Sequence, residues 1–398
     1  MSWTAAHLAD LVDAKPGFAC GEDVLDGVFQ FRMNNVTTDG TLDLSRRRRV
    51  PANSRKLDTF LLQPSDVLFN ATNSPELVGK TAFFPGMEEL ATYSNHFLRL
   101  RPTSAIEGRY LARWLTWQYQ RKTFMGLCRQ WVNQASVSRE ALLNLTIPLP
   151  PLPEQRRIAD IFDQADALRA KRQAARTKLD DLARSIFLEL FGDPVANPNG
   201  WPEDSVLGDV ADIMSGITKG RKPTGAATRE VPYLAVVNVQ DRRLDLNTVK
   251  TIEATEAEIS RYQLKLGDLL LTEGGDPDKL GRGSLWSEEI SECIHQNHIF
   301  RVRLANDRLT PLFLNWLIGS ERGKRYFLKS AKQTTGIASI NLRQLRAFPI
   351  LTPPLALQQR FAAAIERVSA LTAEVQQSVH TLDDLFASLQ DRAFGGGP

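Results

Sequence analysis

Residues 150–192 read PPLPEQRRIADIFDQADALRAKRQAARTKLDDLARSIFLELFG, and residues 353–395 read PPLALQQRFAAAIERVSALTAEVQQSVHTLDDLFASLQDRAFG. Set side by side at an offset of 203, they share 17 of 43 positions without a gap. About three would be expected from ordinary amino-acid usage. The run Leu179-Asp180-Asp181-Leu182 recurs intact as Leu382-Asp383-Asp384-Leu385. A long internal repeat governs the whole reading of a chain, and this period is far too long for a solenoid.

The repeat extends upstream. Ala135-Ser136-Val137 meets Ala338-Ser339-Ile340, and Asn95-His96-Phe97-Leu98-Arg99 meets Asn297-His298-Ile299-Phe300-Arg301. Trp114-Leu115 meets Trp316-Leu317, and Leu42-Asp43-Leu44 meets Leu244-Asp245-Leu246. The chain therefore reads as two copies of one unit, each a mixed α/β globular part followed by a long helix. The segments are 1–149 globular, 150–194 helical, 195–352 globular and 353–398 helical. The duplication predicts pseudo-two-fold architecture within one polypeptide.

Both helical segments carry apolar residues at alternating steps of three and four, the spacing of a coiled-coil seam. In the first the seam runs through positions 158, 161, 165, 168, 172, 175, 179, 182 and 186, broken only by Arg172. In the second it runs through 361, 364, 368, 371, 375, 378, 382, 385 and 389, broken only by Ser378. Prolines 148, 150, 151 and 153 stiffen the approach to the first helix, and Gly192 with Pro194 ends it. At 1.5 Å per residue the helix is a rod of roughly 55 Å. The expected pairing is one helix against the other, antiparallel. The alternative is that each helix packs only on its own globular part, which Ala165 and Ala175 would also allow.

In the globular parts, strand-like runs occur at Leu61-Leu62, 67–69, 233–239 and 268–272, with turn signals at Thr38-Asp39-Gly40, Asn73-Ser74-Pro75 and Gly274-Gly275-Asp276-Pro277. Helical spacing of Trp and Leu predicts helices over 107–124 and 309–330.

The net charge is +3 with a pI near 8.7, too mild to identify a nucleic-acid binder by itself. The distribution is more telling. Arg46, Arg47, Arg48 and Arg49 with Arg55 and Lys56 form one basic loop; Lys219, Arg221 and Lys222 lie in a second, rich in Gly and Pro. Arg and Lys on loops suit phosphate contact, and each cluster is also consistent with solvated surface. Polar side chains able to address base edges lie at Asn70, Thr72, Asn73, Ser74 and Lys80 in the first half. In the second half they lie at Glu273, Asp276, Lys279 and Arg282. Gln134 in the first half, and Gln333 with Thr334 in the second, precede the matching Ala-Ser pairs. Any of these could instead cap a turn.

Catalytic patterns are missing from the sequence: no Walker A motif, no glycine-rich cofactor loop after a strand, and no Asn-Pro-Pro-aromatic tetrapeptide. Cys293-x-His295-x-x-His298 superficially resembles a metal set, but His96 at the matching place has no such neighbours, and an ordinary strand-end histidine is expected. The three sparse cysteines form no disulfide framework, and no apolar run approaches a membrane span. Nor does the N-terminus read as a signal peptide, so a reducing cytoplasm is expected.

Two variable globular parts, each followed by a helix opening on Pro-Pro-Leu and carrying Leu-Asp-Asp-Leu, resemble the specificity subunit of type I restriction–modification systems. The segment 150–157, the turn Phe191-Gly192-Asp193-Pro194, and Trp201 ahead of Leu207-Gly208-Asp209-Val210 carry the resemblance. Residues 70–80 and 272–283 resemble loops of such target-recognition domains. The resemblance implies a non-catalytic subunit in which each half reads one half of a split double-stranded DNA site. It implies that the helices set the spacer and dock two methyltransferase subunits, which bind S-adenosylmethionine; motor-nuclease subunits join for restriction. The docking candidates are Pro151, Leu152, Glu154 and Gln155 in the first repeat and Pro354, Leu355 and Gln358 in the second. Ala356-Leu357 in place of Pro153-Glu154 departs from the pattern. The alternatives are service to a methylase-only phage-defence complex, and a coiled-coil protein scaffold. Two readers on one duplex face would place half-sites about one helical turn, ~34–36 Å, apart.

Overall fold

The computed structural model describes residues 3–53, 57–131, 134–221, 227–275, 280–334 and 337–395. Contacts divide the chain into two units that do not follow the four sequence segments. One is Met1–Ala174 with Gln376–Pro398; the other is Ala175–Val375. Each unit thus holds one globular part, half of the first long helix (Leu152–Phe191) and half of the second (Leu355–Phe394).

The globular parts repeat one topology. In the first, a four-stranded antiparallel sheet is ordered Val12–Pro16, Phe97–Pro102, Val67–Asn70, Thr81–Phe83. In the second the same places are filled by Ala211–Ser215, Ile299–Leu304, Leu269–Thr272 and Gly283–Leu285. A second sheet in each unit has a central strand, Val28–Phe31 or Thr228–Leu234. It pairs antiparallel with one neighbour and parallel with the other, Ala91–Tyr93 or Ile294–His295. A third sheet adds a hairpin to a short strand. It comprises Arg129–Trp131, Gln134–Ser136 and Thr72–Asn73 in the first unit, and Lys332–Thr334, Ile337–Ser339 and Gly274–Gly275 in the second.

Buried polar groups repeat as faithfully as the strands. Asp66 takes a bidentate guanidinium from Arg101, and Asp268 takes one from Arg303; both aspartates are fully buried. Breaking such a pair leaves an uncompensated buried charge, which is why both members recur. Gly79 and Gly281 sit at positive φ, where a Cβ would meet the rings of Phe124 and Phe327 at 2.2 and 3.0 Å. Only glycine serves a left-handed turn pressed against an aromatic ring.

Local differences from the sequence reading have identifiable causes. Residues 233–239 are not one strand: pairing stops at Leu234, and Asn238 folds the chain back. Its Oδ1 accepts from the Ala235 amide, and its Nδ2 donates to the Asp245 and Thr248 carbonyls. Leu61-Leu62 forms no strand. The helix expected over 107–124 is broken into Gly108–Gln120 and Thr123–Leu127 by Lys122 in the left-handed region. The one expected over 309–330 is broken into Pro311–Ile318 and Glu321–Ser330.

The two long helices pair antiparallel. In the first unit Phe162 meets Phe386 and Phe394, while Arg169, further along the same helix, meets Asp383, earlier on the partner helix. In the second unit the last turns of the first helix, through Phe187 and Phe191, meet Phe361 in the first turns of the other. Each helix also packs on its own unit's globular part: Phe394 touches Tyr110 and Trp117, and Phe187 stacks on Trp316. The pairing seam follows the expected one at Ile158, Phe361 and Val368, which are buried, and is rotated from it elsewhere. Phe162 and Ala183 are buried where Ile161 and Leu182 were expected, and Ile365 and Phe386 where Ala364 and Leu385 were. Phenylalanine buries more apolar surface than a neighbouring aliphatic, so the aromatic positions fix the rotation.

Candidate nucleic-acid interface

Two candidate regions far apart in sequence form one surface in the first unit. Ser136 lies opposite Thr72, Ala135 opposite Asn73, and Trp131 opposite Gln134. Side chains directly opposite one another, and those two apart on one strand, share a sheet face. Arg129, Trp131, Gln134, Ser136 and Thr72 therefore share one face; Gln130, Ala135 and Asn73 share the other, where Ala135 is fully buried. The first face is the outward one: Arg129, Trp131 and Gln134 are exposed. Asn73 donates to Asn70 and accepts from the Ser74 amide, which fixes the 70–74 turn.

The second unit repeats this sheet with other residues. Gly274 and Gly275 stand where Thr72 and Asn73 do, and Gln333 and Thr334 lie on the strand matching 129–131. Glu273, just before Gly274, accepts a 2.6 Å bond from His298. His295 is buried and bonds the Tyr262 carbonyl, so the Cys293-x-His295-x-x-His298 run is divided between a core position and a surface hydrogen bond to Glu273. Lys56, Lys222, Asp276 and Lys279 lie outside the described residues.

The basic run of the first unit is less available than its sequence promised. Arg47 and Arg49 pair with Glu89, and Arg49 also donates to the Gly27 carbonyl. Arg48 donates to the carbonyls of Cys20 and Glu22. Arg46 is exposed, and its carbonyl is held at 2.8 Å by Asn35, the counterpart of Asn238. In the second unit Lys219 is exposed, but Arg221 grips Glu258 with two 2.7 Å bonds. The guanidinium holds that carboxyl down to about 2.

Five candidates are corrected by burial or by an internal bond. Asn70 is fully buried and bonds Asn73, so it addresses no base edge. Lys80 is buried, and its ammonium donates to the Met33 and Val36 carbonyls; burial pulls its pKa down. Arg282, at the matching place, donates to Gln240 in the matching loop. Gln155 and Gln358, expected on docking surfaces, are each 0% exposed. Gln155 accepts from the Glu107 amide and donates to the Ala105 and Pro150 carbonyls. Gln358 makes the same three bonds, with Thr310, Arg308 and Pro353. Both clamp a globular part to its helix. Of the other docking candidates, Pro151, Pro354 and Leu355 are exposed, and Leu152 and Glu154 are half-buried, Glu154 paired with Arg157.

The rotated seam leaves apolar surface uncovered. Leu168 and Leu182 are 39% and 45% exposed, and their repeat counterparts Leu371 and Leu385 are 48% and 52% exposed. On each helix the two leucines are fourteen residues apart, two heptads, so they lie along one stripe.

The sequence matches the type I restriction modification DNA specificity domain twice, over residues 30–176 and 198–381. The chain belongs to the type I specificity family. It is 22% identical over 384 residues to the EcoKI specificity subunit of Escherichia coli (strain K12), covering 92% of this chain and 81% of that one. It is 39% identical over 223 residues to the putative MjaX specificity subunit of Methanocaldococcus jannaschii, covering 55% of this chain and 52% of that one. The fold is similar to that of the type I S subunit from M. genitalium, with a TM-score of 0.55 at 14% identity, covering 99% of this chain and 96% of that one. A chain from a structure of type I complex assembly and conformational transition aligns with a TM-score of 0.57 at 17% identity, covering 98% and 97%. Each match to the family domain falls largely on one repeat, so a type I specificity subunit here carries two recognition parts. Sequence reasoning missed Arg129, Gln130 and Trp131, although their spacing ahead of Ala135-Ser136 matches that of Lys332, Gln333 and Thr334 ahead of Ala338-Ser339.

Proposed function

We propose that each unit reads one half of a split double-stranded DNA site and that the chain performs no chemistry itself. The observation that carries this reading is the duplicated three-stranded sheet. One scaffold is built twice, and its short strand bears Thr72-Asn73 in one copy and Gly274-Gly275 in the other. Like frames with unlike side chains suit two different half-sequences. Arg46, Arg129 and Lys219 supply backbone contacts; Thr72, Gln134 and Glu273 address base edges. Affinity then falls steeply with salt.

The paired helices set the spacer. Their exposed leucines, Leu168 with Leu385 in one unit and Leu182 with Leu371 in the other, give each of two methyltransferase subunits an apolar stripe. Pro151, Leu152, Glu154, Pro354 and Leu355 border these surfaces. S-adenosylmethionine is bound by those partners, and motor-nuclease subunits join the assembly for restriction, in the cytoplasm. No described helix is long and apolar enough to cross a membrane.

Selection from a random duplex pool with the full chain and its methyltransferase partner tests the reading. Enrichment of two short sequences at a fixed gap is expected. Enrichment of one continuous sequence, or of none, would contradict it.

A further inference from the structure

Trp131 is 61% exposed at the end of a hairpin strand, and its neighbours Arg129 and Gln130 and its cross-strand partner Gln134 are also exposed. Aromatic side chains bury large apolar areas, and an indole left in water at a strand end is unfavourable unless something covers it. From Arg121 to Arg139 the chain carries four basic residues and no acidic one. On the indole's own face the placed neighbours are Arg129 and Gln134, a cation and an amide, which suit a polyanion. The hairpin is continuous with the proposed reading surface, because its second strand pairs with Thr72–Asn73.

The repeat separates frame from variable tip. Arg129 corresponds to Lys332, Gln130 to Gln333, Ala135 to Ala338 and Ser136 to Ser339, the same or like in kind. At the tip the correspondence fails: Trp131 meets Thr334, and Gln134 meets Ile337. Both hairpins have one register, Trp131 opposite Gln134 and Thr334 opposite Ile337. A shared cation on the outward face suits a phosphate contact common to both half-sites, and a changed tip suits what differs between them.

We propose that Trp131 stacks on a base step within the half-site of the first unit, with Arg129 on the flanking phosphate, so that this half-site is locally unstacked and the other is not. This rests on the reading of the chain as a split-site specificity subunit. Stacking on an aromatic side chain is sequence-tolerant in itself, but opening a step costs least where stacking is weak. Trp131 thereby adds discrimination through deformability to the polar contacts of Thr72 and Gln134.

The test uses the full chain assembled with its methyltransferase partner and a duplex carrying the selected split site, with 2-aminopurine placed in turn along each half. Wild type is compared with Trp131→Ala, Trp131→Phe and Trp131→Thr. An unchanged melting temperature is expected, because the side chain is largely in solvent. Apart from the methylated position of each half, where the methyltransferase itself extrudes the base, wild type should give a fluorescence rise at one further step, in one half-site only. W131A and W131T should abolish it and weaken binding to the split site roughly 10–100-fold, and W131F should restore most of both. Unchanged affinity and fluorescence in W131A would overturn the proposal. So would loss of methyltransferase assembly in place of DNA binding, which would assign the indole to a protein partner. If wild type selects no split site, the underlying reading fails and takes this proposal with it; a split site with an inert Trp131 overturns this proposal alone.

Discussion

Phe162 of the first long helix stacks on Phe394 of the second, with ring centroids 5.6 Å apart and planes 17° apart. Phe386 closes on the same ring edge-on at 5.1 Å. Removing the Phe162 ring should therefore cost about 3–5 kcal/mol, the range for a buried Phe→Ala change. Leu168→Ala, on the uncovered stripe, should change stability by under about 1 kcal/mol. Denaturant unfolding of the two variants checks this. Equal costs would mean that the seam runs where the 3-4 spacing of aliphatic residues placed it.

Gln155 and Gln358 make a matching prediction. Gln155→Leu strands the Glu107 amide and the carbonyls of Ala105 and Pro150 inside the protein. Each orphaned group costs about 1–3 kcal/mol, so a loss of roughly 3 kcal/mol or more is expected in a thermal melt. A side chain used for docking would behave oppositely, leaving the isolated chain intact and weakening only partner binding.

Acid should affect the two units unequally. His295 and Tyr93 hold matching places at the parallel edge of the second sheet. Burial pushes the His295 imidazole down to about 4, against a weaker opposing effect of its bond to the Tyr262 carbonyl. Below the ordinary histidine value the unfolded chain takes up a proton that the folded unit refuses. Stability is thus fully present above about pH 6.5 and is lost as pH falls through about 4. The loss is on the order of 3 kcal/mol. His295→Phe should flatten that slope in the second unit. Persistence of the full slope would assign it to other groups.

Spacer length should follow helix length. Seven residues inserted after Ala174 and seven after Gln376 would lengthen both helices by about 10 Å at 1.5 Å per residue. That is about three base pairs at 3.4 Å each. The selected split site should gain a gap of that size. An insertion in one helix alone should put the pairing of Phe162 with Phe386 out of register with that of Phe187 with Phe361, and so destabilise one of the two.

The duplication and the two long helices were legible because repetition at a fixed offset and 3-4 spacing survive without knowledge of contacts. The seam's rotation was not legible. Ile161 and Phe162 are both apolar and adjacent, and the apolar stripe is wider than one partner helix can cover. Polar candidates failed for a different reason. Residue type does not reveal whether a cation's bonds are taken by the chain's own carbonyls, as with Arg48 and Lys80. Trp131 escaped notice because a lone aromatic in a short strand ordinarily belongs to a core, and only the structure places it in solvent.

Methylome sequencing of a host expressing the methyltransferase with and without this chain bears most directly on the central claim. With the chain present, methylation should fall at two half-sequences separated by a constant unspecified gap. Replacing Thr72 and Gln134 should alter one half and leave the other intact. The same methylated motif without the chain, or simultaneous change of both halves, would contradict the account.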